Sequence, residues 1–417
     1  MKLLEDMKNR IYLILILIIS LILIFYKFNQ IPKNLDRDEV EFAKLALSLD
    51  QKPYTPYSPL ATGHTTLYFY LILFSLKVFG VNNFALRLPS AAFGLLNPII
   101  FYLIVVNLFK KNKNFFLPGF FPFFITFIFL TCRWYFSFAR FAYEVTFLLF
   151  LELLSLYFLI KFFDKKTSCH LCLILSGIFS GLAFNSYLAG RIFFLLPLVL
   201  LVIKLKNKRK DFIYFLIPFI ILTLPLNIYF LNQPDYRFKQ QFFWENSDLN
   251  FSQKINFTLE NIKKISLMFS FYGDINGRHN YPGKPALNPI IGLFFYLGLI
   301  YSLVNIKKNF YFLFFIFYFF LSLFPSLLTY PWENPNMLRT FTTLPSICFF
   351  IGQGLINIIK FLKQKKVQLF IINYFLLIII LLSSFYEIRT YFKYQKDVFN
   401  KAFEINKSLN KVIKINH

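Results

Sequence analysis

Long apolar runs alternate with short polar segments from one end of the chain to the other. Runs of 18 or more apolar residues recur throughout, the length at which a helix rising 1.5 Å per residue begins to cross a bilayer's hydrocarbon. No water reaches backbone N–H and C=O groups in lipid, so such runs satisfy them internally as helices. The pattern therefore predicts an all-α integral membrane protein of about eleven transmembrane helices. The first run, Ile11–Phe25, follows Lys2, Lys8 and Arg10 as an export signal would. No small-residue cleavage site comes after it, so it reads as a retained first span. Residues 1–417 show no internal repeat, coiled coil or soluble linker and read as one transmembrane domain.

The polar segments carry a topology. Basic clusters fall at Lys2–Arg10, Lys110–Lys113, Lys161–Lys166, Lys204–Lys210, Lys307–Lys308 and Lys360–Lys366, and lysine and arginine concentrate in cytoplasmic loops. Between clusters from Lys110 to Lys210 there is room for two crossings each time, which puts the turns Cys132–Arg140 and Asn185–Arg191 outside. Parity makes Asn232–Leu287 a large external loop, Thr329–Arg339 another, and the tail at 387–417 external, with the N-terminus cytoplasmic. The interval from Asn29 to Lys110 needs an odd number of crossings. Its first apolar stretch, Leu67–Phe79, is short for a span and suits an interfacial helix; Phe84–Phe109 crosses. Residues 29–84 are then an external loop with membrane-lying helices, and chemistry is expected there. A multi-pass protein of the cell membrane with an outward-facing site is the result.

Composition narrows the picture. Of 417 residues, 57% are hydrophobic, 21% aromatic and only 16% charged, against roughly a quarter charged in soluble domains. A net charge of +25 would suggest nucleic acid in a soluble protein; here it reflects topology-fixing loops, and no nucleic-acid partner is expected. Cys169 and Cys172 have CxxC spacing, but no second pair completes a zinc site, and no metal or redox role is assigned.

Five polar groups need explanation, and all fall on the predicted external side. Ionisable residues at membrane depth are costly and default to functional hypotheses. Asp36-Arg37-Asp38-Glu39-Val40-Glu41 follows the first span; Asp36 is placed as an N-cap with Glu39 completing a capping box, while a carboxylate here also suits proton abstraction from a hydroxyl. Arg133, Arg140 and Glu144 lie in one turn, where Arg140 and Glu144 at i,i+4 fit an ion pair; Glu152, two turns deeper, fits pairing with the same groups or a buried tyrosine. Arg87 opens the second span, as a snorkelling side chain or a ligand. Arg278-His279-Asn280-Tyr281-Pro282-Gly283-Lys284 closes the large loop, and its Arg278, His279 and Lys284 suit a phosphate or lipid headgroups. Arg339 stands at the outer start of a late span.

Together these residues resemble the GT-C glycosyltransferases that use polyprenyl-phosphate sugars, in particular the protein O-mannosyltransferase and aminoarabinose transferase group. Asp38-Glu39 resembles the family's acidic signature. Gly63-His64-Thr65-Thr66-Leu67-Tyr68 resembles its His-Pro-Pro-Leu-Tyr segment, with threonines replacing the prolines. Phe79-Gly80-Val81-Asn82-Asn83-Phe84-Ala85-Leu86-Arg87-Leu88-Pro89-Ser90 resembles its most recognisable stretch, and Glu144 stands where relatives carry a second acidic residue, commonly Asp. The resemblance is good over roughly the first 190 residues and patchier later.

The resemblance implies a GT-C-like bundle with juxtamembrane helices in the first external loop. It also implies inverting transfer of a hexosyl or pentosyl group from a polyprenyl-phosphate donor to a hydroxyl of a protein, lipid or glycan acceptor. Asp38 would be the base and Glu39 would support the acceptor or the loop, with His64 also serving the acceptor or its loop. Arg87, Arg140, Arg278, His279, Lys284 and Arg339 would stabilise the departing lipid phosphate, since guanidinium groups suit charge building on phosphate oxygens. No cofactor or metal is required, because these cations neutralise a monophosphate. A flippase of lipid-linked sugars would need midplane charges and paired halves, and the early Asp38-Glu39 helix argues against an O-antigen polymerase or ligase.

Overall fold

The computed structural model describes residues 2–109, 120–164, 169–205 and 211–414. The basic cluster at 110–113, and parts of those at 161–166 and 204–210, lie outside the described residues. In chain order the helices are α1 (Lys2–Phe25), α2 (Arg37–Ser48), α3 (Leu67–Phe79), α4 (Asn83–Phe109), α5 (Phe120–Thr131), α6 (Arg133–Phe138), α7 (Val145–Asp164), α8 (His170–Phe184), α9 (Gly190–Phe193) and α10 (Leu195–Lys204). They continue with α11 (Asp211–Asn232), α12 (Tyr236–Gln241), α13 (Phe251–Met268), α14 (Pro289–Val304), α15 (Phe310–Leu327), α16 (Leu344–Gln364), α17 (Leu369–Arg389), α18 (Lys396–Ala402) and α19 (Leu409–Lys414). A two-stranded hairpin, β1 (Tyr57–Ser58) with β2 (His64–Thr65), pairs Tyr57 with Thr65 and Ser58 with His64.

Among the described residues six helices are long and apolar enough to cross a membrane: α4, α7, α11, α15, Phe341–Gln364 and Leu369–Ala402. Shorter apolar helices are Asn9–Phe25, α3, α5, α8 and α14. Small residues set the closest crossings, as expected where lipid offers helices no hydrophobic drive to associate. A methyl on Gly298 of α14 would sit 1.7 Å from the Phe350 carbonyl oxygen of α16, and one on Gly354 would sit 2.1 Å from that of Phe294. Aromatic rings fill the remaining interior, as where Phe315 stacks on Phe349 at 4.1 Å.

Two arginines fold the segment between α1 and α2. Arg140 is fully buried and donates to the carbonyls of Leu23 (2.8 Å), Tyr26 (2.8 Å), Lys27 (3.1 Å) and Ile31 (3.1 Å), with Nε on the Tyr391 hydroxyl at 3.1 Å. It thus supplies donors at the carbonyl end of α1, where helix geometry leaves the last carbonyls without intrahelical N–H partners. Arg87, equally buried, grips both Glu39 carboxylate oxygens at 2.7 Å and the carbonyls of Pro32 (2.6 Å) and Asn34 (2.7 Å). The capping box is present: Asp36 Oδ1 accepts from the Glu39 N–H at 2.6 Å, and the Asp36 N–H donates to Glu39. Helix α2 then buries Val40, Phe42, Ala43, Leu45 and Ala46, leaving Asp38 on its partly open side.

The end of the chain is more ordered than a polar tail suggests. Helix α17 runs through a π-helical turn, Thr390–Gln395, into α18. Leu35 and Ile405 then exchange backbone hydrogen bonds, and the Leu409 N–H reaches Asn83 Oδ1 at 3.1 Å. The final segment packs on the entrances to α2 and α4. Deep in α7, Glu152 accepts from the Tyr318 hydroxyl at 2.5 Å, the buried-tyrosine pairing. Cys169 and Cys172 are joined as a disulfide.

Removing one partner of a buried ion pair strands the other charge at a cost of about 3–5 kcal/mol. Arg87→Met should therefore lower the thermal unfolding midpoint markedly in detergent, and adding Glu39→Leu should restore much of the loss. Melting followed by tryptophan fluorescence checks both.

Candidate active site

Seven segments converge on one cavity of about 570 Å³. They are α2, the β-hairpin loop, the turn before α7, the turn before α9, α12, the loop after α13 and the segment 332–339. Their short polar sequences cannot span hydrocarbon, so all emerge where helices end.

Asp38 occupies one wall, with its side chain about half exposed at 47%. Its Oδ2 accepts from Arg278 Nη1 at 2.6 Å and from the Tyr143 hydroxyl at 3.1 Å. Tyr143 also reaches Asp36 Oδ2 at 2.9 Å, and Arg278 lies 3.5 Å from the same oxygen. Asp36 is buried. Burial pushes its carboxyl up to about 7, with repulsion from Glu39 and Asp38 adding and Arg278 opposing. Burial and the two aspartates hold the Tyr143 phenol well above its ordinary range, so it remains a donor. Arg278 is held as a cation: burial disfavours its charge, but Tyr143, Asp36 and Asp38 outweigh that.

A second cluster lies across Phe42, whose ring contacts both His64 (5.0 Å) and Tyr143 (5.7 Å). His64 Nδ1 is 2.6 Å from Glu144 Oε1, and Arg237 Nη1 lies 2.8 Å from His64 Nε2. Burial, reinforced by the Arg237 charge, depresses the His64 pKa against the pull of Glu144. Arg237 Nη1 also lies 2.6 Å from His64 Nδ1, so the guanidinium faces both ring nitrogens beside Glu144. Burial alone would raise the Glu144 carboxyl; the charge interaction and hydrogen bond with His64, and then the charge of Arg237, outweigh it and hold it below the ordinary carboxylate range. Glu144 Oε2 and Arg237 Nε are buried without a hydrogen-bond partner among the described residues. The hairpin positions His64 through Gly63, whose φ of +93° and whose missing Cβ, which would stand 2.1 Å from the Tyr57 hydroxyl, both demand glycine. Helix α12 presents Arg237 two residues after its N-cap Asp235, itself tied to Tyr57 and Arg191.

Elsewhere around the cavity, Arg339 pairs with Glu333 and keeps a buried Nη1 that has no partner among the described residues. His279 is fixed by Asp274 Oδ2 at 2.9 Å, which also accepts the Met337 N–H at 2.8 Å. Asp274 thereby joins two of the converging loops. Among the described residues no group of three or more His, Cys, Asp or Glu side chains is placed to hold a metal ion.

The cavity brings together Asp38, His64, Glu144, Arg278, His279 and Arg339. Four other candidates stand elsewhere. Glu39 and Arg87 are buried against each other, so Arg87 neither snorkels nor faces the cavity. Arg140 spends its donors on carbonyls at and just beyond the end of α1, pairs with no carboxylate among the described residues, and leaves Glu144 to His64, because the turn between α6 and α7 breaks the helical i,i+4 register. Lys284 donates to Thr390 Oγ1 at 2.8 Å and covers the Tyr386 ring at 4.0 Å. Arg133 bonds Glu387, Asn280 and Gln395, tying the loop after α13 to α17. Sequence reading missed Arg237, Tyr143, Asp36 as more than a cap, and Asp274. Signals for Arg237 and Asp274 are present in Pro234-Asp235-Tyr236-Arg237 and in Gly273-Asp274-Ile275-Asn276-Gly277, polar turns in apolar surroundings.

Residues 63–230 match the family described as dolichyl-phosphate-mannose-protein mannosyltransferase. That segment includes His64 and Glu144 and begins after Asp38. No curated protein matches the chain by sequence. The fold resembles that of polytopic GT-C membrane enzymes. ArnT from Cupriavidus metallidurans bound to undecaprenyl phosphate superposes with a TM-score of 0.53 at 11% identity, covering 82% of this chain and 59% of ArnT. Archaeal oligosaccharyltransferase AglB from Archaeoglobus fulgidus, in complex with an inhibitory peptide and a dolichol-phosphate, gives 0.54 at 12% identity over 96% of this chain and 56% of AglB. The chain thus spans less than two thirds of either structure.

Two pH effects follow. Arg237→Leu removes the cation that opposes protonation and leaves Glu144 to hold an imidazolium, so the His64 pKa should rise; ¹⁵N NMR of the four histidines reads this. For Asp36, the native state keeps between pH 3.8 and about 7 a proton that the unfolded chain has released. Its contribution to stability therefore declines as pH rises through that window, and Asp36→Asn, which retains a cap acceptor, should flatten the decline in a melting series.

Proposed function

We propose that the protein transfers a sugar from a polyprenyl-phosphate donor to an acceptor hydroxyl, with inversion, in the cavity beside Asp38. The observation that carries this reading is a half-exposed carboxylate at a 570 Å³ cavity also lined by Arg237, Arg278 and Arg339, within a GT-C fold. The family matched over residues 63–230 and the undecaprenyl phosphate and dolichol-phosphate of the superposed structures support a lipid-linked donor. Asp38 Oδ2 is taken by Arg278 and Tyr143, leaving Oδ1 for the incoming hydroxyl. As the acceptor oxygen attacks the anomeric carbon, its proton passes to Asp38. The bond from that carbon to the phosphate oxygen breaks, and the electron pair leaves on the lipid phosphate.

The guanidinium groups meet the charge that develops there, where preorganised cations are worth most. Arg237 and Arg339 retain buried N–H groups without partners, which suits phosphate oxygens. Arg87, Arg140 and Lys284 have no part in this reading. Glu39 acts on Asp38 only through α2, which it anchors. The acceptor is a hydroxyl of protein, lipid or glycan, and the cavity opens on the outer face of the cell membrane, as the basic clusters predict.

General-base catalysis contributes about 10²–10⁴ in rate. Asp38→Asn in lipid vesicles supplied with a panel of polyprenyl-phosphate hexoses and pentoses should lose turnover by that order while folding normally; unchanged release of polyprenyl phosphate would remove Asp38 from the mechanism. For orientation, Glu41→Cys, Tyr281→Cys and Glu333→Cys should react with an impermeant thiol reagent in intact cells, and Lys307→Cys only after permeabilisation.

A further inference from the structure

A base that shares its oxygen with a guanidinium needs somewhere for the proton to go. Behind Asp38, away from the cavity, stands a second carboxylate joined to it through one hydroxyl. Tyr143 lies 3.1 Å from Asp38 Oδ2 and 2.9 Å from Asp36 Oδ2. Asp36 is 2% exposed, so its route to solvent runs through these groups. We propose that Tyr143 relays the acceptor's proton from Asp38 to Asp36, making Asp36 a proton reservoir for the transferase site. This rests on the reading of Asp38 as the base.

The relay balances. Asp38, protonated on Oδ1 by the attacking hydroxyl, turns its carboxyl about the Cβ–Cγ bond and gives that proton to the Tyr143 oxygen while the Tyr143 O–H proton moves to Asp36 Oδ2. Asp38 is again a carboxylate, Tyr143 again a neutral phenol, and Asp36 a carboxylic acid. After the products leave, the reverse transfer returns the proton to Asp38 and the open cavity.

The surroundings of Asp36 favour this from every side. Glu39 and Asp38 on its own helix add negative charge, Arg278 from the loop after α13 lies 3.5 Å away, and Arg87 from α4 is engaged by Glu39. His279 stands near the Tyr143 ring, at 6.3 Å between centroids, but its Nδ1 is held by Asp274. Three carboxylates thus face two guanidinium groups, and a proton on Asp36 balances the charge. Burial and the neighbouring carboxylates place its titration at about 7, where one residue can both accept and return a proton near neutrality. A tyrosine held as a neutral phenol suits a relay that passes protons without storing them.

The test is the pH profile of kcat with KM measured separately, in vesicles with the polyprenyl-phosphate sugar that the panel identifies, or the full panel in parallel. The relay requires ionised Asp36, so wild-type kcat should fall as pH drops below about 7. Tyr143→Phe and Asp36→Asn should each lower kcat at least about tenfold with KM little changed, abolish that limb, and be no worse together than singly. A purely structural role would leave the limb in place, and an unaltered profile in Tyr143→Phe overturns the relay. Infrared difference titration of wild-type against Asp36→Asn protein completes the test: a buried carboxylic-acid band that requires Asp36 and is lost as pH rises through about 7 supports the proposal, and its absence overturns it. If Asp38→Asn is inactive while Tyr143→Phe is normal, the relay alone fails; if Asp38→Asn is active, the reading of the base fails first.

Discussion

The buried contact of Arg87 with Glu39 is the constraint on which the site depends. Arg87 comes from the start of a membrane-spanning helix, and Glu39 from a short helix that by itself has no fixed relation to it. Their two parallel bonds, with the carbonyls of Pro32 and Asn34 filling the other guanidinium donors, fix the rotation of α2 about its axis. That rotation turns Asp38, one residue earlier, toward the cavity and Asp36 toward the interior. Two charges withdrawn from water are tolerated because each is nearly saturated with hydrogen bonds. The same saturation explains why Arg87 is unsuited to bind a phosphate.

Arg140 solves a related problem at the end of α1. A helix that stops in a crowded interior exposes its last carbonyls, and lipid or protein offers them few donors. One guanidinium supplies several at once. Arg133 does comparable work farther along by linking the loop after α13 to α17. Three interior arginines thus hold loops against helices, while Arg237, Arg278 and Arg339 retain exposure or unpartnered donors at the cavity. The difference between the two sets lies in who occupies their N–H groups, not in residue type or in depth along the sequence.

Around the cavity, neighbouring acidic residues are driven to different states. Glu144, bonded by His64 and close to Arg237, is kept ionised; Asp36, crowded by carboxylates and out of water, titrates near neutrality. Paired groups whose environments push them apart are the usual basis for dividing acid and base duties. Phe42 separates the two clusters, so each keeps its own electrostatics within one open volume.

The amino-acid sequence by itself determined the helical membrane fold, because apolar run length and the absence of water in lipid admit little else. It also determined the capping box at Asp36 and Glu39, a local interaction three residues long, and the grouping of polar turns that form the cavity. Only the tertiary structure decided which arginines face a ligand, since Arg87 and Arg140 look the same as Arg278 and Arg339 until their partners, 48 to more than 250 residues away, are in place. It likewise decided that Glu144 pairs with His64 instead of Arg140, and that Arg237 and Tyr143 belong to the site. Those outcomes depend on where a turn breaks helical register and which side chain reaches an acceptor first, and such contacts between distant segments leave no periodic trace along the chain.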